Sequence, residues 1–397
     1  ARAYYYAELI KQYGGVPIVE SQYAANKFIP RSSYDQIVEY IVKEIDDHKG
    51  KLAVDWASFS ERNGRFTLGA ALAIKARVLL YAASPLHNPD NDVEKWKKAA
   101  AAAYDIISNP DLNYSLDSDY GAYFQGNRSL SSPETIYVVR REQSNAMESN
   151  NYPIATPGGA SGVTPTQNLV EAYEWVGDPV AGDPYANRDP RLAASVVTNG
   201  STWNGHVIDQ SPGGRHDMSA PNASKTGYYL KKFLTDNLDL TQGAKVQHNW
   251  VSYRYAEVLL NYAEAMNEAY GPDQAPGDYA LTALDALQLV RDRASLQLPI
   301  VTAATRDEFR EAVKHERRIE LAFEDHRYWD LLRWKDAMEV LNKPVRGVKV
   351  TKTGEGKWSY TQTEVATRTF LERNYYMPFT RSEVENSNHT LEQNPGY

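Results

Sequence analysis

The sequence predicts a mostly α-helical protein, in which helical hairpins flank a long irregular, loop-rich insertion that carries a few short strands. Two contrasts predict this. Residues 1–109 and 250–345 repeat apolar side chains at helical spacing, whereas residues 110–249 are rich in Gly, Pro, Asn and Ser and lose that spacing. No linker divides the 397 residues, so the chain reads as one domain, with an irregular C-terminal segment over 346–397.

Taken in order, Ala1 to Gln12 reads as a helix with no capping residue ahead of it, and an N-terminal portion is therefore expected outside this sequence. Ser32 or Ser33 caps the next helix, Tyr34 to about Lys49, where Ile37, Ile41 and Ile45 recur every fourth position. Leu68, Leu72, Ala76, Leu79 and Ala83 line one stripe of the following helix, while Ala70, Ile74, Arg77 and Tyr81 line the other side. Small residues on several faces predict packing on more than one side. Pro85 ends that helix, and Pro110 closes the next one, Trp96 to Ser108. In the middle, Ile136–Val139 and Tyr228–Phe233 read as strands and Thr166–Trp175 as a helix. Beyond it, Tyr253–Tyr270 pairs with Tyr279–Ala294, and Arg306–Phe323 with Tyr328–Leu341. Such pairs, with Trp96, Ala99, Ala100 and Ala103 at contact positions, resemble tetratricopeptide (TPR) repeats. No strict 34-residue period is visible, so the prediction is degenerate TPR-like helical hairpins.

Glu316 to Trp334 alternates charges with large aromatics. On one helix Ile319, Ala322, Phe323 and His326 share a face, whereas Tyr328, Trp329, Leu331 and Leu332 point elsewhere. Two helices with a break near Asp325 fit better, because a short Asx side chain tolerates the left-handed conformation. Arg317, Arg318, Glu320, Glu324, Arg327, Asp330 and Arg333 must then pair or reach water. Trp329 and Trp334 are expected to be structural. Arg188, Asp189 and Arg191 of N-R-D-P-R-L are expected to hold a turn by ion pairing.

Several functions are disfavoured. A net charge of -8 without clustered Lys and Arg argues against nucleic acid. No run of eighteen apolar residues is present, and zero cysteines exclude disulfides, thiolate metal sites and thiol nucleophiles within this sequence. His315-Glu316 begins like a zinc-protease motif, but Ile319 stands where the second histidine is needed. Gly158 to Gly162 has neither the lysine of a phosphate loop nor the setting of a nucleophile elbow. No local motif singles out a catalytic pair among the 51 carboxylates. The expectation is a non-enzymatic protein without cofactor or metal.

The 28 Tyr and 8 Trp point instead to binding. Sugars present apolar C–H faces and hydroxyl edges, which suit flat aromatic walls and planar hydrogen-bonding side chains. The irregular middle supplies Tyr120, Tyr123, Tyr152, Trp175, Tyr185 and Trp203 as candidate platforms. It supplies Asn127, Arg128, Asn151, Asn204, His206, Arg215 and Asp217 as candidate clamps. The residues expected to bind ligand are Trp203, Tyr152, Tyr123, Trp175, Asn151, Asn204 and Arg215. Trp175 and Tyr123 also have a core reading, whereas Trp203, flanked by turn-formers in N-G-S-T-W-N-G-H, is expected to be exposed. Trp203→Ala is thus expected to weaken binding without unfolding the protein.

The chain also resembles the SusD/RagB family. E-R-R-I-E-L-A-F-E-D-H-R-Y-W-D-L-L-R-W (Glu316 to Trp334) is similar to that family's C-terminal signature, with Asp325 in place of its usual glycine. Five further segments match in order: Arg2–Ile18, Gly64–Pro85, Asn187–Leu192, Tyr253–Ala265 and His389–Tyr397. Met377-Pro378-Phe379-Thr380 departs from the family's Leu-Pro-Ile-Pro. The resemblance implies a lipid-anchored nutrient-binding protein of the outer-membrane surface, its anchor outside this sequence. It further implies an oligosaccharide or polysaccharide ligand, a SusC-like TonB-dependent transporter as partner, and a helical scaffold that faces that transporter. A helical glycoside hydrolase and a scaffold that binds only protein are the alternatives.

Overall fold

Capping chemistry sets where the helices begin. In the computed structural model, which describes residues 1–19, 29–55 and 64–397, Ser33 accepts a hydrogen bond from Gln36 N and the Gln36 side chain accepts one from Ser33 N. That reciprocal pair starts the Tyr34–His48 helix. Thr67 and Asp92 cap Leu68–Ala83 and Val93–Ile107. Thr282 and Thr305 close capping boxes at Ala283–Arg291 and Arg306–Glu320. Ser33→Ala is expected to remove about 1 kcal/mol, seen as a lower urea midpoint with an unchanged slope.

The helices pack side by side. Leu68–Ala83 packs between Tyr34–His48 and Val93–Ile107, and the Tyr255–Tyr270 helix packs against Val93–Ile107, Ala283–Arg291 and Arg306–Glu320. Nearly every residue of Tyr255–Tyr270 is buried, including Glu257, Asn261 and Glu264. Alanines 99, 100 and 103 are buried on the neighbouring helix, which lets backbones approach closely.

The middle contributes antiparallel strand pairs: Thr135–Val139 with Trp250–Arg254, Gln143–Ser144 with Val246–Gln247, Val196–Val197 with Tyr229–Leu230, and Thr202–Trp203 with His206–Val207. The expected strand at 136–139 is present. That at 228–233 keeps only Tyr229–Leu230, because Phe233 turns to φ 74°, and the expected 166–175 helix shrinks to the turn Gln167–Val170. The expectation of an irregular C-terminal segment is corrected. Val345–Gly354 and Lys357–Ala366 form a long hairpin, closed by Glu355-Gly356 with Gly356 at φ 62°. Its Val348 and Val350 are buried with Val170, Tyr173, Leu192, Val196 and Tyr228.

The Glu316–Trp334 segment breaks near Asp325, as its two mismatched faces predict. One helix ends at Glu320, Phe323 and Asp325 take φ 65° and 63°, and a second helix runs Arg327–Arg333. Most of its charges are buried and paired, while Arg318 is half-buried on Asn168 O, Arg327 is half-buried and Asp325 is exposed. Glu320 accepts from Arg254 at 2.7 Å and from Arg293 and Arg191 at 2.9 Å. Glu324 accepts from Arg254 at 2.6 Å and Lys232 at 2.7 Å. Asp330 binds Arg317 and Arg333, and Arg333 also grips Glu264. Arg191 pairs with Asp189 and extends beyond its own turn to Glu316 and Glu320. Trp329 and Trp334 are buried. The layer of charge around Glu320 therefore joins the loop-rich middle to the helical scaffold, and a second network around Asp330 ties the scaffold helices together.

Candidate ligand-binding site

That layer positions a cleft at its edge. Glu134 is fully buried and accepts from Arg254 at 2.7 Å, Arg293 at 2.6 Å and Asp117 N at 2.8 Å, which pins the start of the Thr135–Val139 strand. Alternation along that strand sends Ile136 and Val138 inward and leaves Tyr137 half-buried on the outer face. Tyr137 stacks on Phe66 with centroids 4.5 Å apart and planes 11° from parallel. Tyr4 stands 6.0 Å from Tyr137, and Tyr5 stands 5.6 Å from Tyr4. Tyr5 is 65% exposed. A row of rings thus runs from the strand onto the Arg2–Tyr13 helix.

Beside Tyr137 opens a cleft of about 330 Å³, lined also by Asp55, Arg65, Asp111, Asn113 and Tyr114. This volume lies within the range of small-ligand sites. Burial raises the pKa of the Tyr114, Tyr137 and Tyr4 hydroxyls, so they stay protonated and able to donate at neutral pH. The wall combines flat rings with amide, guanidinium and carboxylate groups, which can stack on an apolar face and hydrogen-bond its hydroxyl edge.

Gly69 makes room for Tyr114. A Cβ at Gly69 would lie 2.0 Å from the Tyr114 hydroxyl oxygen and 2.7 Å from its ring. Gly69→Ala is therefore expected to expel the Tyr114 ring from the cleft wall. The helix gains about 1 kcal/mol of propensity in exchange, so thermal stability should change little while the Tyr114 side-chain NMR signals shift and ligand affinity falls. An unmoved Tyr114 signal would show that the ring does not depend on this glycine.

The sequence-derived candidates lie elsewhere. Trp203 is 4% exposed, so the expectation of an exposed ring is corrected. Its hairpin folds the indole onto Tyr152, edge to face at 6.1 Å, among Val197, Ile208, Tyr229 and Leu234. Tyr152 is fully buried, donating to Thr235 O and accepting from Leu238 N. Tyr123 and Tyr120 are buried with Phe124, Leu296 and Leu298. Their faces are covered by protein and present nothing to a ligand. Asn151 is buried, bonded to Met147 O and Val163 N, and Asn204 bridges to Asp236 and Asn237. Arg215 is exposed and reaches Ala155 O at 3.4 Å. Trp175 is half-exposed beneath the Arg188 guanidinium, 4.0 Å from its ring centre. Of the other candidates, Tyr185 packs on Tyr228 and Tyr360, Asn127 bonds Asn249, and Arg128 pairs with Asp117. His206 is exposed, while Asp217 accepts from Gly213 N and Ser219 N. None of these residues lines the cleft beside Tyr137.

Tyr4, Phe66, Tyr114 and Tyr137 are not among the candidates expected from the sequence. Two signals were available. Three consecutive tyrosines on a helix cannot all face the core, and only Tyr6 of Tyr4–Tyr6 is buried. Alternation in T-I-Y-V-V likewise puts Tyr137 opposite Ile136 and Val138.

The SusD family matches residues 123–397, and a family described as starch-binding associating with outer membrane matches residues 1–80. Two SusD-like proteins of Formosa agariphila are similar. One is 25% identical over 382 residues, covering 87% of this chain and 67% of its own length; the other is 24% identical, covering 100% and 72%. A crystal structure of a SusD-like protein from Bacteroides fragilis superposes with a TM-score of 0.82 at 26% identity, over 100% of this chain and 78% of that one. A SusD-like carbohydrate binding protein from the same species gives a TM-score of 0.80 at 27% identity, over 97% and 77%. Among the described residues no helix is long and apolar enough to cross a membrane.

Proposed function

This chain belongs to the SusD family, and we propose that it is a glycan-binding protein that captures oligosaccharide without cleaving it. The observation that carries the reading is the row of rings Tyr137, Phe66, Tyr4 and Tyr5 beside the polar cleft of Asp55, Arg65, Asp111, Asn113 and Tyr114. The carbohydrate-binding description of a B. fragilis structure at 27% identity supports it. Capture proceeds by stacking sugar faces on the rings while the polar wall fixes orientation. The same reading extends to a lipid-anchored protein at the outer-membrane surface that hands its cargo to a TonB-dependent transporter. The outer-membrane description of the family matching residues 1–80 supports that location.

Affinity electrophoresis against a panel of polysaccharides, followed by calorimetry with oligosaccharides of the retained one, tests the reading. The expected result is retardation by at least one glycan, with no new reducing ends after prolonged incubation. Chain cleavage would replace capture with hydrolysis. Co-purification with an outer-membrane barrel tests the hand-over separately.

A further inference from the structure

A second concave surface lies on the helical scaffold, and it shares no residue with the cleft. The helices Tyr34–His48, Leu68–Ala83 and Val93–Ile107 enclose a groove of about 470 Å³, floored by Val38, Val42, Leu79, Ala82, Ala101 and Ala102. An ion pair of Asp35 with Lys95 at 3.2 Å closes one end, and one of Asp46 with Lys75 at 2.8 Å marks the other. Asp35 to Asp46 spans about 16 Å, or three helical turns.

Between these ends one wall carries an acidic and the other a basic side chain, and Asp105 lines the basic wall two turns beyond Lys98. Glu39 stands on the Tyr34–His48 wall and Lys98 on the Val93–Ile107 wall, each about one turn beyond the Asp35–Lys95 pair. Both are exposed, and among the described residues neither side chain has a hydrogen bond or ion pair. They face the groove without reaching each other. The backbone groups of all three walls are engaged within their own helices, so no sheet edge is offered for strand addition. None of the groove's lining residues is aromatic, which sets it apart from a sugar-stacking surface. A concave groove is also not self-complementary, as a two-fold contact between copies requires.

We propose that this groove docks an amphipathic helix of about three turns from a protein partner. That helix carries a narrow apolar stripe between a basic edge, facing Glu39, and an acidic edge, facing Lys98. The alanine-rich floor admits the close approach, and the opposed walls select the mixed charge pattern.

The test uses the full chain and three fluorescein-labelled designed peptides with one apolar stripe. The first has a lysine edge and a glutamate edge, the second two lysine edges, the third two glutamate edges. Anisotropy titration should show the mixed peptide bound about tenfold more tightly than the others. Glu39→Lys should shift the preference to the two-glutamate peptide, and Lys98→Glu to the two-lysine peptide. Ala101→Arg, at an exposed position, should block all three. Equal binding of the three peptides, or no binding, overturns the proposal. So does a dimer in sedimentation velocity that Ala101→Arg abolishes, or displacement of the peptide by oligosaccharide.

Discussion

Replacing Glu320 by Gln is expected to destabilise the fold by about 3–5 kcal/mol, the range for removing one partner from a buried ionic network. Glu320 has no solvent exposure. Its carboxylate receives Arg254, Arg293 and Arg191, while its carbonyl oxygen receives the Tyr120 hydroxyl and a second Arg254 nitrogen. Burial alone would raise its pKa, but Arg293, Arg254 and Arg191 outweigh it and hold the group below the usual carboxylate range. A neutral amide of the same shape keeps the volume and leaves three guanidinium groups under-compensated in the interior. The urea midpoint of E320Q measures the loss, and a change below about 1 kcal/mol would mean that Glu134, Glu316 and Glu324 suffice without it. The same chemistry sets an acid limit. Glu257 lies in the same interior, where burial raises its pKa and Arg77 more than reverses this, lowering it from 4.5 to about 2. Glu316, Glu324 and Asp330 are shifted down as well. A carboxylate depressed in the folded state stabilises above its unfolded pKa and loses that contribution as pH falls through the folded one. The unfolding midpoint should therefore begin to fall below about pH 6.5, because burial holds His87, His216 and His326 neutral in the fold, with pKa lowered to about 3, 4 and 4, while the unfolded chain takes up protons on them. It should fall more steeply below about 4.5, where the depressed carboxylates add their loss.

How much of this was legible depended on whether the information was local. The break at Asp325 was, because two apolar faces out of phase and one Asx residue lie within a single window. The need for pairing in Glu316–Trp334 was also legible, but not the partners. Glu320 meets Arg293 across 27 residues, Arg254 across 66 and Arg191 across 129, and no periodicity encodes that. The Val345–Ala366 hairpin shows plain alternation, V-K-V-T and W-S-Y-T around Gly356, but most of its side chains face solvent and give no continuous apolar face. Trp203 shows a different failure. Turn-formers on both sides of it do mark the tight Thr202–Val207 hairpin, but a turn fixes where the chain reverses and not which way its ring points. Here the ring points at Tyr152. The cleft itself draws on residues 54–55, 64–67, 111–114 and 130–138, stretches that become one wall only after the scaffold has folded.

That difference between a covered ring and an open one yields the second large effect. Tyr137→Ala is expected to weaken glycan binding by about 1.5–3 kcal/mol, or roughly tenfold to a hundredfold. The variant should remain folded, because the Thr135–Val139 strand is held by backbone pairing with Trp250–Arg254, by inward-facing Ile136 and Val138, and by buried Glu134. Tyr137 contributes its face to the cleft and its stack to Phe66, so its removal takes away a platform and loosens its neighbour. Trp203→Ala should behave in the opposite way. It empties a site walled by Tyr152, Ile208 and Leu234, costing about 3–5 kcal/mol of stability, while the fraction that stays folded binds with unchanged affinity. Calorimetric titration of both variants, paired with their thermal melts, separates the two roles. If Trp203→Ala lost affinity at full stability and Tyr137→Ala did not, the ligand would be meeting the buried Tyr152–Trp203 cluster and not the cleft beside Tyr137.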